Sequence, residues 1–242
     1  MKKINCKIIS VDPGNAEDFK AVQHFGHAVE DKVKMRYITR RKNVEKFINS
    51  FKSNKFNIEI FNAVTPNKFK LEKNSVFFEG KSFTVIEKAA EADFFIANIL
   101  SHYKIWQTEE DTLIFEDDII FNNESFIELY DLINNFSSQQ LTDTILYLQL
   151  SCPSDVNASN KYLICGNLIN EQIGYAANNN DFSGTGAYFI SKECKEILLN
   201  NMQGLRACDA YLNTLRELNA IKYCIPTNSN KMFCLDVNTF WL

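Results

Sequence analysis

Short strand-like segments alternate along this chain with segments at helical spacing, and that alternation limits the fold more than any other feature. Residues 33–38 (VKMRYI), 56–61 (FNIEIF), 112–115 (TLIF), 144–150 (TILYLQL) and 186–190 (GAYFI) are apolar or alternating runs of strand length. Between them, Val44, Phe47, Ile48 and Phe51 share a helical face within 40–51, and Phe94, Ala97, Leu100 and Ile105 do so within 86–106. Asn123 can cap a helix carrying Phe126, Leu129, Tyr130, Ile133 and Phe136. Ser191 can cap another bearing Cys194, Ile197, Leu198 and Met202, with Gly204 past its end, and 207–218 reads as the last helix. Such alternation builds βαβ units. The expectation is an α/β fold with a mostly parallel central sheet, covered on both faces and binding ligands at the carboxyl ends of its strands. Residues 1–32, with one strand-like run at 7–11 and a turn at Asp12-Pro13-Gly14, are expected as an N-terminal extension packed on a main domain of 33–242.

Composition removes several alternatives. In 242 residues, 45% hydrophobic and 23% charged residues make an ordinary globular mixture, so collagen-like, disordered and coiled-coil chains are excluded. Lys plus Arg is 26 against 30 Asp plus Glu, a net charge of −4 that gives no overall attraction for nucleic acid. Seven cysteines, an odd number without C-x-x-C spacing, argue against a disulfide framework or structural zinc and suit a reducing compartment. No signal-peptide pattern and no run of about 20 apolar residues is present, so the expected location is cytoplasmic.

The chemistry concentrates at Glu116-Asp117-Asp118, three carboxylates between TLIF and an apolar IIF. Burying them is costly unless a cation is near. In an extended segment residues i and i+2 point the same way, so Glu116 and Asp118 are expected to face one ligand and Asp117 to turn away. Oxygen ligands of this kind suit Mn²⁺ or Mg²⁺, which can also hold a diphosphate. A solvated acidic turn is the plainer alternative.

Ser101-His102-Tyr103-Lys104-Ile105-Trp106 followed by Leu113-Ile114-Phe115-Glu116-Asp117-Asp118 resembles the S-H-x-x-x-W and LI-x-EDD pair of glycosyltransferase family 25, which includes lipooligosaccharide and collagen galactosyltransferases. Further pieces follow in the family's order. Tyr37-Ile38-Thr39-Arg40-Arg41 is similar to its first strand and Arg-rich turn, and Phe61-Asn62-Ala63-Val64 to its F-x-A-V. Gly184 to Ser191 (GTGAYFIS) resembles its G-x-x-A-Y segment, and Asp209 with Leu212 its D-x-x-L. The resemblance implies a GT-A-type, Rossmann-like nucleotide-sugar-binding fold and an inverting transfer of glucose or galactose from UDP-glucose or UDP-galactose. The acceptor would be a hydroxyl on a glycan or hydroxylated protein.

By the same resemblance Glu116 and Asp118 would hold the metal. Thr39, Arg40, Ala63, Val64, Ser101, His102 and Asp117 would bind the donor, and Asp209 would deprotonate the acceptor. Two departures stand out: Ile38-Thr39 replaces the family's usual N-L, and no histidine follows His102 to serve as a C-terminal ligand. Bland readings stand beside these roles. His102 can be a satisfied core histidine, Asp209 a helix N-cap, Arg40 a solvated face, and Asp181 with Asn178–Asn180 part of a polar loop instead of an acceptor pocket. Two rival functions remain: a non-catalytic glycosyltransferase-like domain that binds nucleotide or glycan, and a Mg²⁺-dependent phosphotransferase.

Overall fold

The computed structural model describes residues 3–22, 30–86, 92–121, 123–150, 164–176, 184–227 and 233–234. In chain order these form β1 (Ile4–Ser10), α1 (Ala16–Val22), α2 (Glu30–Ser50) and β2 (Phe56–Asn62), then, after a short 3-10 turn, β3 (Lys70–Glu72), β4 (Ser75–Phe78), β5 (Lys81–Val85) and α3 (Ala92–Trp106). The second half holds β6 (Thr112–Glu116), α4 (Asn123–Ser137), β7 (Thr144–Tyr147), β8 (Gln149–Leu150), β9 (Ile164–Asn170), β10 (Ile173–Ala176) and β11 (Ala187–Ile190). It closes with α5 (Lys192–Asn201), β12 (Gly204–Leu205), α6 (Cys208–Glu217), β13 (Lys222–Pro226) and β14 (Phe233–Cys234).

An eight-stranded sheet in the order β2-β1-β6-β11-β7-β13-β10-β9 forms the frame. Strands β2, β1, β6, β7, β13 and β9 share one direction, while β11 and β10 oppose it. The expected α/β class with a mostly parallel sheet is therefore what the chain folds into. Alternate residues feed two apolar clusters. Leu113, Phe115, Ala187 and Phe189 pack with Val44, Phe47, Phe126 and Ile133 of α2 and α4. Ile114, Tyr188 and Ile190 pack with Leu100, Trp106, Leu198 and Leu212 of α3, α5 and α6. Strands buried on both faces need helices on both sides, which the crossovers supply. A smaller sheet, β12-β5-β4-β3, adds Val76, Phe78 and Phe83 to the second cluster.

Three expectations are corrected here. Residues 1–32 are no extension: β1 lies inside the sheet, parallel to both β2 and β6, with Cys6 and Ile8 fully buried. Its apolar run is interrupted by Lys7, whose register partner on β2 is Glu59, and the two side chains form an ion pair. Residues 33–38 are not a strand but the start of α2. Val33, Tyr37, Val44 and Phe47 are buried at helical spacing while Met35, in phase with a strand reading, is exposed. The run at 144–150 also breaks: β8 leaves the large sheet and pairs with β14.

The chain leaves β1 for β2 on one side and returns from β2 to β6 on the other. Strand order thus reverses between β1 and β6, and a crevice opens there at the carboxyl ends, the usual ligand position in open α/β sheets.

Candidate active site

Ser10 and Val11 at the end of β1, Ala63 and Val64 after β2, and Glu116, Asp117 and Asp118 at the end of β6 line a cavity at that reversal. Tyr37 and Arg40 of α2 close one wall, and Phe94, Ala97, Asn98 and Ser101 of α3 the other. Arg40, Ala63, Val64, Ser101, Glu116, Asp117 and Asp118, drawn from four distant segments, thus meet as expected. Thr39, on α2 instead of a strand-end turn, is half-buried and does not line the cavity.

The three carboxylates divide differently from expectation. Strand β6 ends at Glu116 and the chain turns through 117–118, so the strand alternation stops one residue too early to pair Glu116 with Asp118. Glu116 Oε1 accepts from His102 Nε2 at 3.0 Å, Thr185 Oγ1 at 2.6 Å and Asn98 Nδ2 at 3.2 Å. Burial pushes its carboxyl up, but the donors His102, Thr185 and Asn98 more than reverse that and hold it below the usual carboxylate range. Asp117 and Asp118 instead share Arg40: Nη1 lies 3.6 Å from Asp117 Oδ1 and Nη2 3.7 Å from Asp118 Oδ2. Asp117 Oδ2 also accepts from Ser10 Oγ at 2.7 Å. Burial, reinforced by Glu116 and Asp117, pushes Asp118 up against the lowering by Arg40.

The conspicuous polar residues of α3 stitch the site together. Ser101 Oγ accepts from Val64 N–H at 2.8 Å and donates to Ala97 O at 2.7 Å, fixing the chain after β2. His102 is fully buried. Its Nε2 faces an acceptor-only carboxylate and so donates, while Nδ1 lies 2.8 Å from the Tyr188 hydroxyl, which also accepts from Trp106 Nε1 at 3.0 Å. His102 therefore reaches the cavity through Glu116.

Asp209 lies in the first turn of α6 but is not its N-cap, a position held by Ala207 without a side-chain bond. Its carboxylate accepts from Gly184 N–H at 3.0 Å and Ala210 N–H at 2.8 Å. Asp209 does not line the cavity; it meets the site through the segment before β11. There three successive residues are anchored separately: Gly184 to Asp209, Thr185 to Glu116, and Gly186 N–H to Gln149 Oε1. Gly184 has φ +84°, and a Cβ there would fall 2.5 Å from Gln149 Nε2. Asp181 and residues 178–180 lie outside the described residues. Sequence reasoning missed Ser10, in a strand-like run whose place inside the sheet was not foreseen, and Asn98, although it sits one turn before His102 on the same face.

Among the described residues, no group of three or more His, Cys, Asp or Glu is set to hold a metal by itself. Divalent Mg²⁺-like ions, however, keep several waters and take one or two carboxylates plus substrate phosphates. Asp118 Oδ1 is buried without a hydrogen-bond partner, an acceptor that a hard cation would satisfy. The donor set fits an ion held jointly with a diphosphate.

No curated protein matches this chain by sequence. Among solved structures, apo UDP-glucose pyrophosphorylase is similar over 98% of this chain and 78% of that one, at 11% identity and TM-score 0.41. UDP-glucose pyrophosphorylase complexed with UDP-glucose is similar over 99% and 96%, at 9% identity and TM-score 0.39. S. aureus TarS residues 1–349 is similar over 99% of this chain and 62% of that one, at 16% identity and TM-score 0.40. The family model for glycosyltransferase family 25 (LPS biosynthesis protein) matches residues 35–212, which carry Arg40, Ser101, His102, the acidic turn, the Gly184–Gly186 segment and Asp209. With the motif residues joined in one site and the match covering most of its length, the chain belongs to glycosyltransferase family 25 and has an α/β fold.

Proposed function

We propose that this protein transfers glucose or galactose from a UDP-sugar to a hydroxyl of a glycan or hydroxylated protein, with inversion and with Mn²⁺ or Mg²⁺. The supporting observation is the convergence of Arg40, Ser101-fixed Val64 and the acidic turn on one crevice at the strand-order reversal. Arg40 supplies a guanidinium suited to phosphate oxygens. Asp118 would hold the divalent ion, whose chemistry is to offset negative charge on the departing diphosphate. Glu116, kept ionised by His102, Thr185 and Asn98 bonding Oε1, would hold the ion together with Asp118 through its other oxygen. Ala63 and Val64 offer backbone to the nucleoside. Asp209 serves as the acceptor-side base; each of its oxygens accepts one main-chain N–H and keeps a further lone pair.

We further propose a cytoplasmic location. Cys6, Cys194, Cys208 and Cys224 are buried free thiols, and among the described residues no helix is long and apolar enough to cross a membrane.

The test is calorimetric binding of UDP-glucose and UDP-galactose with Mn²⁺ and with a chelator, followed by transfer to a sugar acceptor panel and anomer assignment by NMR. Metal-assisted binding with a β-linked product is expected. Failure of both donors to bind with Mn²⁺ would overturn the reading, and binding without any turnover would select the non-catalytic domain.

A further inference from the structure

Arg40 and Asp118 are each only 9% exposed, yet neither uses its full hydrogen-bonding capacity. Arg40 Nε and Asp118 Oδ1 are buried without a partner. The contacts between the guanidinium and the two carboxylates, 3.6 and 3.7 Å, exceed the ~2.7–2.9 Å of charge-assisted hydrogen bonds. Buried charges are normally paired and fully bonded, so this site holds one unused donor and one unused acceptor on two residues whose other atoms face each other. Other charges frame them. Asp117 and Glu116 add negative charge from the turn, and Arg36 adds positive charge one turn earlier on α2.

A ligand that satisfies both atoms offers Arg40 an acceptor and Asp118 a donor or a cation. A nucleoside diphosphate alone offers acceptors to Arg40 but meets three carboxylates. A divalent ion alone suits Asp118 but meets the guanidinium already seated against it. The two together answer both needs.

We infer that Arg40 is the resident counter-ion of the acidic turn and makes divalent-ion binding and nucleoside-diphosphate binding depend on each other. As the ion takes the carboxylates, Arg40 exchanges them for phosphate oxygens. By linkage, each ligand must raise the other's affinity by the same factor. The inference rests on the functional reading above and adds to it the residue that suppresses binding of the ion alone.

The experiment is calorimetry with three titrations: Mn²⁺ alone, UDP alone in chelator, and UDP at saturating Mn²⁺. In the wild type, Mn²⁺ is expected to raise UDP affinity at least about tenfold, the order of an ordinary coupling, with the reciprocal gain for Mn²⁺. In Arg40→Met, Mn²⁺ alone is expected to bind at least about threefold tighter and UDP alone more weakly, and Arg40→Lys to keep the wild-type pattern. Equal Mn²⁺ affinity in wild type with and without UDP overturns the inference, even if Arg40→Met does not fold. So does unchanged Mn²⁺ affinity in a folded Arg40→Met. In the second case metal-assisted UDP binding by the wild type leaves the functional reading standing; in the first its metal dependence falls with the inference, and no UDP binding under any condition removes both.

Discussion

The two ends of β6 each bury charge, and they handle it in opposite ways. Beside its first residue, Thr112, the Lys195 side chain is 1% exposed. Its ammonium donates to Thr108 Oγ1 at 2.8 Å, Glu110 O at 2.6 Å and Thr112 Oγ1 at 2.7 Å. With Thr108 O also within 3.4 Å, its donors are all taken and nothing is left for a ligand. At the other end, beyond Glu116, Arg40 and the carboxylates of 117–118 stand at longer range with buried atoms unpartnered. Burial of charge by itself therefore does not mark a site. Unspent hydrogen-bonding capacity does, because a ligand can supply what the fold withholds.

The sharpest test of that contrast lies on the ligand side. Asp209→Asn is expected to leave UDP-sugar binding within about twofold but to lower transfer by about 10²–10⁴-fold, the usual worth of a positioned base. Near-normal turnover in that variant would strip Asp209 of the role and leave it as the anchor of Gly184.

At the saturated end the effect should be on folding alone. Lys195→Met leaves three oxygens without their donor and should cost about 1–3 kcal/mol in urea denaturation, with UDP affinity unchanged. A donor-binding defect in this variant would break the contrast between the two ends.

The same pair of proteins gives a pH test. Burial pulls the Lys195 ammonium down to about 8, with Asp111 and Glu110 opposing. Its folded pKa thus lies below the ordinary ~10.4 of an unfolded lysine. Between those values the unfolded chain binds more protons, so stability rises with pH. Wild type should gain on Lys195→Met from pH 8 to 9.5 by about 1–2 kcal/mol. A constant difference would show that the ammonium is not desolvated.

The smallest effect is expected from Ser101→Ala, which leaves Val64 N–H without its acceptor and should cost about 1 kcal/mol of stability. It should weaken UDP binding only a few fold. No change in either would mean that the chain after β2 needs no such tie.

What the sequence revealed and what it hid follow one physical pattern. Elements whose burial repeats on a single clear period, such as α4 with Phe126, Leu129, Ile133 and Phe136, were legible because the chain alone dictates their faces. Strand β1 was legible only in part: 7–11 reads as strand-like, but Lys7 hides its start at Ile4 and its place inside the sheet, where the cross-strand Glu59 makes that charge tolerable. Residues 33–38 satisfied two periods at once, and only tertiary burial of Tyr37 over Met35 decides between them. At the site, residue identities were legible but their partnerships were not. That Asp117 and Asp118 share Arg40 depends on where β6 ends, which local composition does not encode. The sheet also falls partly outside the family match, since β1 precedes residue 35 and β13 follows residue 212.

Strand β11 runs against β6 and β7, so its amino end, not its carboxyl end, arrives at the crevice, with Gly186 O accepting from Glu116 N–H at 2.9 Å. That inversion changes where the chain can tolerate alteration. Lengthening or shortening the segment just ahead of Gly184 would shift Thr185 and the Asp209 anchor directly. Comparable changes in the 138–142 turn, which lies at the opposite end of the strands, would be absorbed there. Tags or inserted domains therefore belong at the turn between α4 and β7 and not just ahead of Gly184.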